Sequence, residues 1–298
     1  MNDKQKAVGL IFLASFLTGG VTSMVKIGVS LIPPFGFLFL RMIVSFMIMS
    51  PLFLKSKLSW QKFKPLILIS FLPTINIVFF ALGVSLTGAT IGQALYAACP
   101  LLAGVLAYWV LGSKLSRSKI IGVVLGMFGV VVMILLPVWQ KTSFFSGGLS
   151  GNLLIMVGVL AYSFYQVVSQ KAQEEYPPII ITLAFISVAL VVIFPLALVE
   201  LSREPGWWRQ LNLQVWLSVL YAGSFGTAVA YGLNQYIIKF GGPVLAAMTL
   251  YLQPVFAFLW ARVLLGERLT PGLVFGGSLA LVGVWLVTKS ADKAKEAR

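Results

Sequence analysis

The sequence predicts an all-α integral membrane protein with ten transmembrane helices arranged as two inverted five-helix repeats. Three observations carry this. The 298 residues are 59% hydrophobic and only 10% charged, with mean hydropathy +0.97, whereas soluble domains run about 45–50% apolar and about 25% charged. The apolar residues gather into ten long runs. The fourth and fifth runs are echoed by the ninth and tenth at a constant offset of 154 residues.

The runs cover residues 7–25, 35–54, 65–83, 90–111, 119–137, 150–169, 179–199, 214–236, 243–265 and 271–288. Each approaches the roughly 20 residues that a helix needs to cross a bilayer core at about 1.5 Å per residue. Each must be helical, because lipid offers an open backbone no hydrogen-bond partner. The first run is too long for a signal peptide and lacks a small-residue cleavage site, so it reads as a retained span. Fifteen Lys and Arg fall on the side of the N-terminus and five on the other, with Arg41 and Arg262 inside spans. That bias places both termini in the cytoplasm, with Lys141 and Arg203 outside. The net charge of +14 is then a topology signal, and no nucleic-acid partner is expected.

In the repeat, Pro100-Leu-Leu-Ala, Leu111-Gly112-Ser-Lys-Leu115, Gly122 and Gly129-Val130 line up without a gap on Pro254-Val-Phe-Ala, Leu265-Gly266-Glu-Arg-Leu269, Gly276 and Gly283-Val284. Ten of these 31 positions are identical. Pro33-Pro34 after span 1 is echoed by Pro177-Pro178 after span 6. The halves, 1–147 and 148–298, form one transport unit. Five spans is an odd number, so the halves cross the membrane in opposite senses. Inverted repeats of this kind typify secondary transporters, whose substrate site lies between the halves near the midplane.

A polar group within a span is costly unless it packs inward, so polar stripes mark the interior. Span 6 carries Tyr162, Tyr165, Gln166 and Ser169 at i, i+3, i+4 and i+7; Asn76 and Phe80 lie in span 3. Gln93 and Tyr96 lie in span 4, Tyr231 and Asn234 in span 8, and Tyr251 and Gln253 in span 9. Each Tyr, Gln or Asn alone is explained by an interhelical hydrogen bond of about 0.6 kcal/mol. Stripes on so many helices together point to a cavity, and these residues form the candidate substrate-binding set. Pro73, Pro100 and Pro254 each remove a helical hydrogen bond and free a carbonyl within a span, which makes them candidate hinges. Gly122, Gly126, Gly129, Gly272, Gly276 and Gly283 read as close packing within the fold rather than a dimer face.

Lys26, Arg41, Arg262 and Glu267 are expected at the external mouth. Pairing with Glu267 or snorkelling to headgroups explains the cations; attraction of a substrate carboxylate or phosphate is the functional alternative. The chain has no histidine and a single cysteine, Cys99. It can build neither a His-based triad nor a Cys/His metal site, so no metal and no cofactor are expected. No Asp occurs between Asp3 and Asp292, and no acid lies at mid-membrane depth. That argues against exchange of a proton for a cation, and against an intramembrane enzyme.

The twice-occurring pattern of Pro, about ten apolar residues, Leu-Gly-Glu/Ser, Arg/Lys-Leu and two spaced glycines resembles the drug/metabolite transporter superfamily, in particular its ten-helix EamA-type exporters. Two positions depart from the family: Ser113 stands where Glu is usual, and Phe16-Leu17-Thr18-Gly19-Gly20 lacks the tryptophan often seen in span 1. The resemblance implies a 5+5 inverted fold, no ATP, and spans 1, 3, 4, 6, 8 and 9 around a central cavity. It further implies export of amino acids or other small metabolites from the inner (plasma) membrane of a prokaryote. The tyrosine-rich stripes favour aromatic or hydrophobic amino acids. The expected partners are a small-molecule substrate and the bilayer, with the chain a monomer or weak homodimer. An antiporter of phosphorylated or nucleotide-linked sugars is the alternative within transport; an intramembrane enzyme or a receptor is the alternative outside it.

Overall fold

The computed structural model describes residues 3–55, 60–87, 92, 95–113, 116–139, 149–265 and 271–296, and among these all regular structure is helical. In chain order the helices are α1 (Asp3–Thr18), α2 (Val21–Leu31), α3 (Pro34–Lys55), α4 (Trp60–Leu86), α5 (Cys99–Leu111) and α6 (Arg117–Trp139). The second half supplies α7 (Leu149–Ala172), α8 (Pro178–Arg203), α9 (Leu213–Gly223), α10 (Ala230–Ala247), α11 (Thr249–Leu265) and α12 (Pro271–Glu296). A π-helical segment, Ser224–Val229, joins α9 to α10.

Among the described residues, six segments are long and apolar enough to cross a membrane: Gln5–Leu31, Pro34–Leu52, Phe63–Leu86, Leu149–Ala172, Pro178–Arg203 and Leu213–Ala247. Cys99–Leu111 and Val274–Val287 are shorter apolar helices. The ten predicted spans map onto these elements with three differences. Span 1 is two helices, broken at Gly19-Gly20 and continued to Leu31. In span 4, Gly92, Leu95 and Tyr96 are helical, and a turn at Ala97-Ala98 separates them from α5. Spans 8 and 9 meet inside α10, where Gly242 leaves helical geometry at φ 82°, a value that glycine reaches without steric cost.

Local chemistry sets several ends. Prolines start α3 at Pro34 and α8 at Pro178, where the missing N–H would have lacked a helical partner anyway. Gly112, at φ 62°, ends α5 in the left-handed conformation. The side chain of Asn212 accepts from Val215 N at 3.0 Å and caps α9. At the face opposite the termini, Glu200 Oε2 accepts from Gly36 N at 2.7 Å, so an acid from α8 caps the first turn of α3 across the two halves.

Helix packing follows the repeat. α4 lies on α7, α1 on α10, α3 on α8 and α6 on α12. Glycines permit the tightest approach. A Cβ placed on Gly122 would lie 2.7 Å from Gly283 O, and one on Gly129 would lie 2.5 Å from Gly276 O. Gly122 and Gly276 are repeat mates, as are Gly129 and Gly283, so the two contacts are one contact seen twice. These glycines pack within the fold. Gly272 lies among the residues whose surroundings are not described. Outward faces are apolar, with Leu68, Trp109 and Val191 each more than 70% exposed, which suits contact with lipid.

Candidate functional site

Between the two halves lies an open cavity of about 810 Å³, a volume that includes the solvent space at its mouth. Both halves supply the wall. Thr18 and Thr22 come from the broken first span, Arg41 from α3, Asn76 and Phe80 from α4, and Tyr96 from the segment before α5. Tyr162 comes from α7, Tyr231 and Asn234 from α10, and Thr249 and Gln253 from α11.

One side of the cavity is a connected aromatic wall. Tyr162 packs on Tyr96 and Tyr231 with centroids 6.4 and 5.8 Å apart, and Phe80 meets Tyr96 edge-on at 5.5 Å. Asn76 ties the wall together. Its amide nitrogen donates to Tyr96 Oη and to Gly158 O, the latter at 2.9 Å, while its oxygen accepts from Tyr231 Oη at 2.9 Å. Both amide protons and the carbonyl of Asn76 are therefore committed to protein. It acts as a bracket for two rings rather than as a free group. Tyr162 differs: it faces the cavity, and among the described residues its hydroxyl has no hydrogen-bond partner.

Arg41, which is 4% exposed, lines the same cavity. Its Nε donates to Thr227 Oγ1 at 2.7 Å and one Nη to Gly226 O at 3.1 Å. Both acceptors belong to the π-helical segment, whose irregular backbone makes a carbonyl available. Ser45 fixes the same junction by donating to Arg41 O and Gly223 O, each at 2.8 Å. Among the described residues no carboxylate pairs with this guanidinium. A helix, a π segment and a buried cation are thus locked into one corner of an otherwise uncharged chamber.

Residues 5–135 and 149–289 each match the model of the EamA-like transporter family. The chain belongs to that family. Among curated relatives, an uncharacterized transporter of Synechocystis is 26% identical over 71% of this chain and 66% of its own length. A WAT1-related protein of Arabidopsis thaliana is 26% identical over 75% of this chain and 65% of its own length. Another from that plant is 25% identical over 85% and 80%. The matches to the first two span about two thirds of those proteins. A crystal structure at 19% identity superposes with TM-score 0.77 over 97% of this chain and 99% of that one, a likeness of fold.

Within this EamA-like fold the predicted residues divide. Asn76, Phe80, Tyr96, Tyr162, Tyr231, Asn234 and Gln253 come together around the cavity. Tyr165 and Gln166 are fully buried behind it: the Tyr165 ring packs on Phe185 and Tyr231, and Gln166 Nε2 lies 3.5 Å from Cys99 Sγ. Tyr251 points the other way. Its ring fills the space left by Gly126, and its hydroxyl donates to Val123 O at 2.9 Å. Gln93 lies outside the described residues, as do Lys141, Glu267 and the side chain of Arg262.

Lys26 is held at the far end of α4, donating to Val84 O at 2.7 Å and Thr87 O at 3.1 Å. A cation there complements the carbonyl-rich C-terminus of a helix. Arg41, expected at the mouth, instead lines the chamber, because the π-helical turn offers its guanidinium two acceptors at that depth. Pro73 and Pro254 sit inside α4 and α11. Pro100 occupies the first turn of α5, where proline interrupts no helical bond. Sequence reasoning missed Gly226 and Thr227, which hold Arg41; the available signal was an arginine within an apolar span, which demands internal acceptors.

Proposed function

We propose that this chain is a secondary transporter that moves a small metabolite, amino acids foremost, through the central cavity by alternating access. The observation that carries this is the chamber between the halves, lined by Tyr96, Tyr162 and Tyr231 together with Asn234 of α10 and Thr249 and Gln253 of α11. A ring-bearing solute stacks on such a wall while its polar end meets the amides and the guanidinium. Rocking one half against the other about the α3–α8 and α6–α12 contacts would expose the chamber to each face in turn. In this reading the contact residues are the cavity-lining members of the set, with Gly19-Gly20, Gly242 and Pro254 as the positions that bend.

We place both termini in the cytoplasm and treat the chain as one transport unit dividing near residue 147, without cofactor and functional as a monomer. Uptake of radiolabelled amino acids into proteoliposomes tests the reading. Saturable uptake inhibited by excess unlabelled solute is expected; uptake no faster than through empty liposomes across a full panel of amino acids and aromatic acids refutes it.

A further inference from the structure

Among the described residues the chamber is charged by one group, Arg41. Arg41 has five N–H donors, and the protein engages two of them, on Thr227 and Gly226. The side chain lines the cavity, so the remaining donors have the chamber as their outlet. A counter-charge from the chain is hard to find. The sequence has no Asp or Glu between Asp3 and Glu174, nor between Glu204 and Glu267, and this covers every cavity-lining segment. Lys26, the other described cation nearby in sequence, is turned onto the α4 carbonyls. A second observation points to a ligand at the same place. Asn234 lines the cavity, is 4% exposed, and its Nδ2 has no partner among the described residues.

We propose that Arg41 is the anchor for a substrate carboxylate, and that the cavity selects small aromatic or apolar monoanions over zwitterions and amines. A buried, uncompensated cation is costly, and a monoanion brings the chamber to neutrality. A zwitterion leaves a net positive charge inside, and an amine adds a second. A phosphate dianion would leave a net negative charge, with one guanidinium to hold it. The anchoring bond is charge-assisted and allows bidentate geometry, which sets direction as well as strength. With the carboxylate on Arg41, an apolar body meets the aromatic residues that line the same cavity, and Asn234 Nδ2 supplies a further donor from α10. This rests on the transport reading and moves its preferred substrate class from zwitterionic amino acids to monoanionic carboxylates.

The test uses the detergent-purified full chain and three compounds with one phenyl ring and similar length: 3-phenylpropionate, L-phenylalanine and 2-phenylethylamine. Calorimetric titration is expected to rank them in that order, with 3-phenylpropionate tighter than L-phenylalanine by about tenfold or more, because both present the carboxylate and only L-phenylalanine must also bury an ammonium beside the guanidinium. Arg41→Gln should erase the ranking, leaving the three within about threefold, while Arg41→Lys keeps the order at reduced affinity. The wild-type ranking needs no variant, so a misfolded Arg41→Gln does not shield the proposal. Equal binding of amine and acid, absence of binding by the acid, or a ranking retained in Arg41→Gln overturns it. Transport is separated by flux: ranked binding without movement into proteoliposomes refutes the transport reading and leaves the anchor. Movement of L-phenylalanine or of the amine at rates independent of Arg41 does the reverse.

Discussion

Replacing Asn76 by leucine keeps the branched outline of the side chain, at a larger volume, and removes the bracket of the aromatic wall. Three hydrogen bonds disappear: to Gly158 O, to Tyr96 Oη, and from Tyr231 Oη. Interhelical hydrogen bonds in membranes average about 0.6 kcal/mol and reach about 1.7. Three of them come to roughly 2 kcal/mol; the Gly158 carbonyl keeps its helical partner within α7, while the Tyr231 hydroxyl loses its acceptor. Tyr231→Phe removes one of the three and retains the ring, so it should cost about 0.6 kcal/mol. Urea-dependent unfolding in mixed micelles, followed by tryptophan fluorescence, measures both. The double variant closes a cycle, and the two changes should be non-additive because they share a bond. In flux assays Asn76→Leu should raise KM several-fold as the rings of Tyr96 and Tyr231 lose their setting, whereas Tyr231→Phe should nearly match wild type. Asn76→Leu no more destabilising than Tyr231→Phe, with KM unchanged, would refute the bracket.

Gly129→Ala and Gly283→Ala each place a Cβ about 2.5 Å from a backbone oxygen of the partner helix, so α6 and α12 must part at a cost of about 1–3 kcal/mol. Gly9→Ala, with nothing within 4 Å, should stabilise by a fraction of a kcal/mol through helix propensity; equal melting temperatures for all three would remove the glycine contact from the account. Tyr162→Ala should weaken substrate binding while folded yield stays near normal, and Gln166→Ala should lower yield more than affinity, because Gln166 is fully buried behind the wall. The reverse pattern in size-exclusion yield and KM would displace Tyr162 from the site. No carboxylate of the described residues and no histidine stands in the chamber to carry a proton between faces, so transport should run down the solute's own gradient. A pH gradient imposed at equal solute should therefore give no accumulation, and uphill uptake abolished by a protonophore would contradict this.

The sequence by itself determined the spans, their number and the repeat. Burying apolar side chains in lipid is a property of each segment alone, and a duplicated helix pair keeps its Pro and Gly in register. It also determined which faces point inward, since Tyr162, Asn76 and Tyr231 cannot turn to hydrocarbon without cost. The tertiary structure decided what those faces meet. A stripe at helical spacing spreads across an arc of roughly 100°, wide enough to touch a cavity on one flank and a neighbouring helix on the other. Tyr162 and Gln166 lie on one such arc, yet the first opens on the chamber and the second on Cys99. Tyr251 and Gln253, two residues apart, serve α6 and the cavity. Arg41 shows the same limit in depth: its place in the sequence suggests the mouth, and acceptors on a π-helical turn more than 180 residues away hold it inside. Which acceptor a buried charge finds depends on where a distant backbone departs from the α-helix, and no local pattern encodes that.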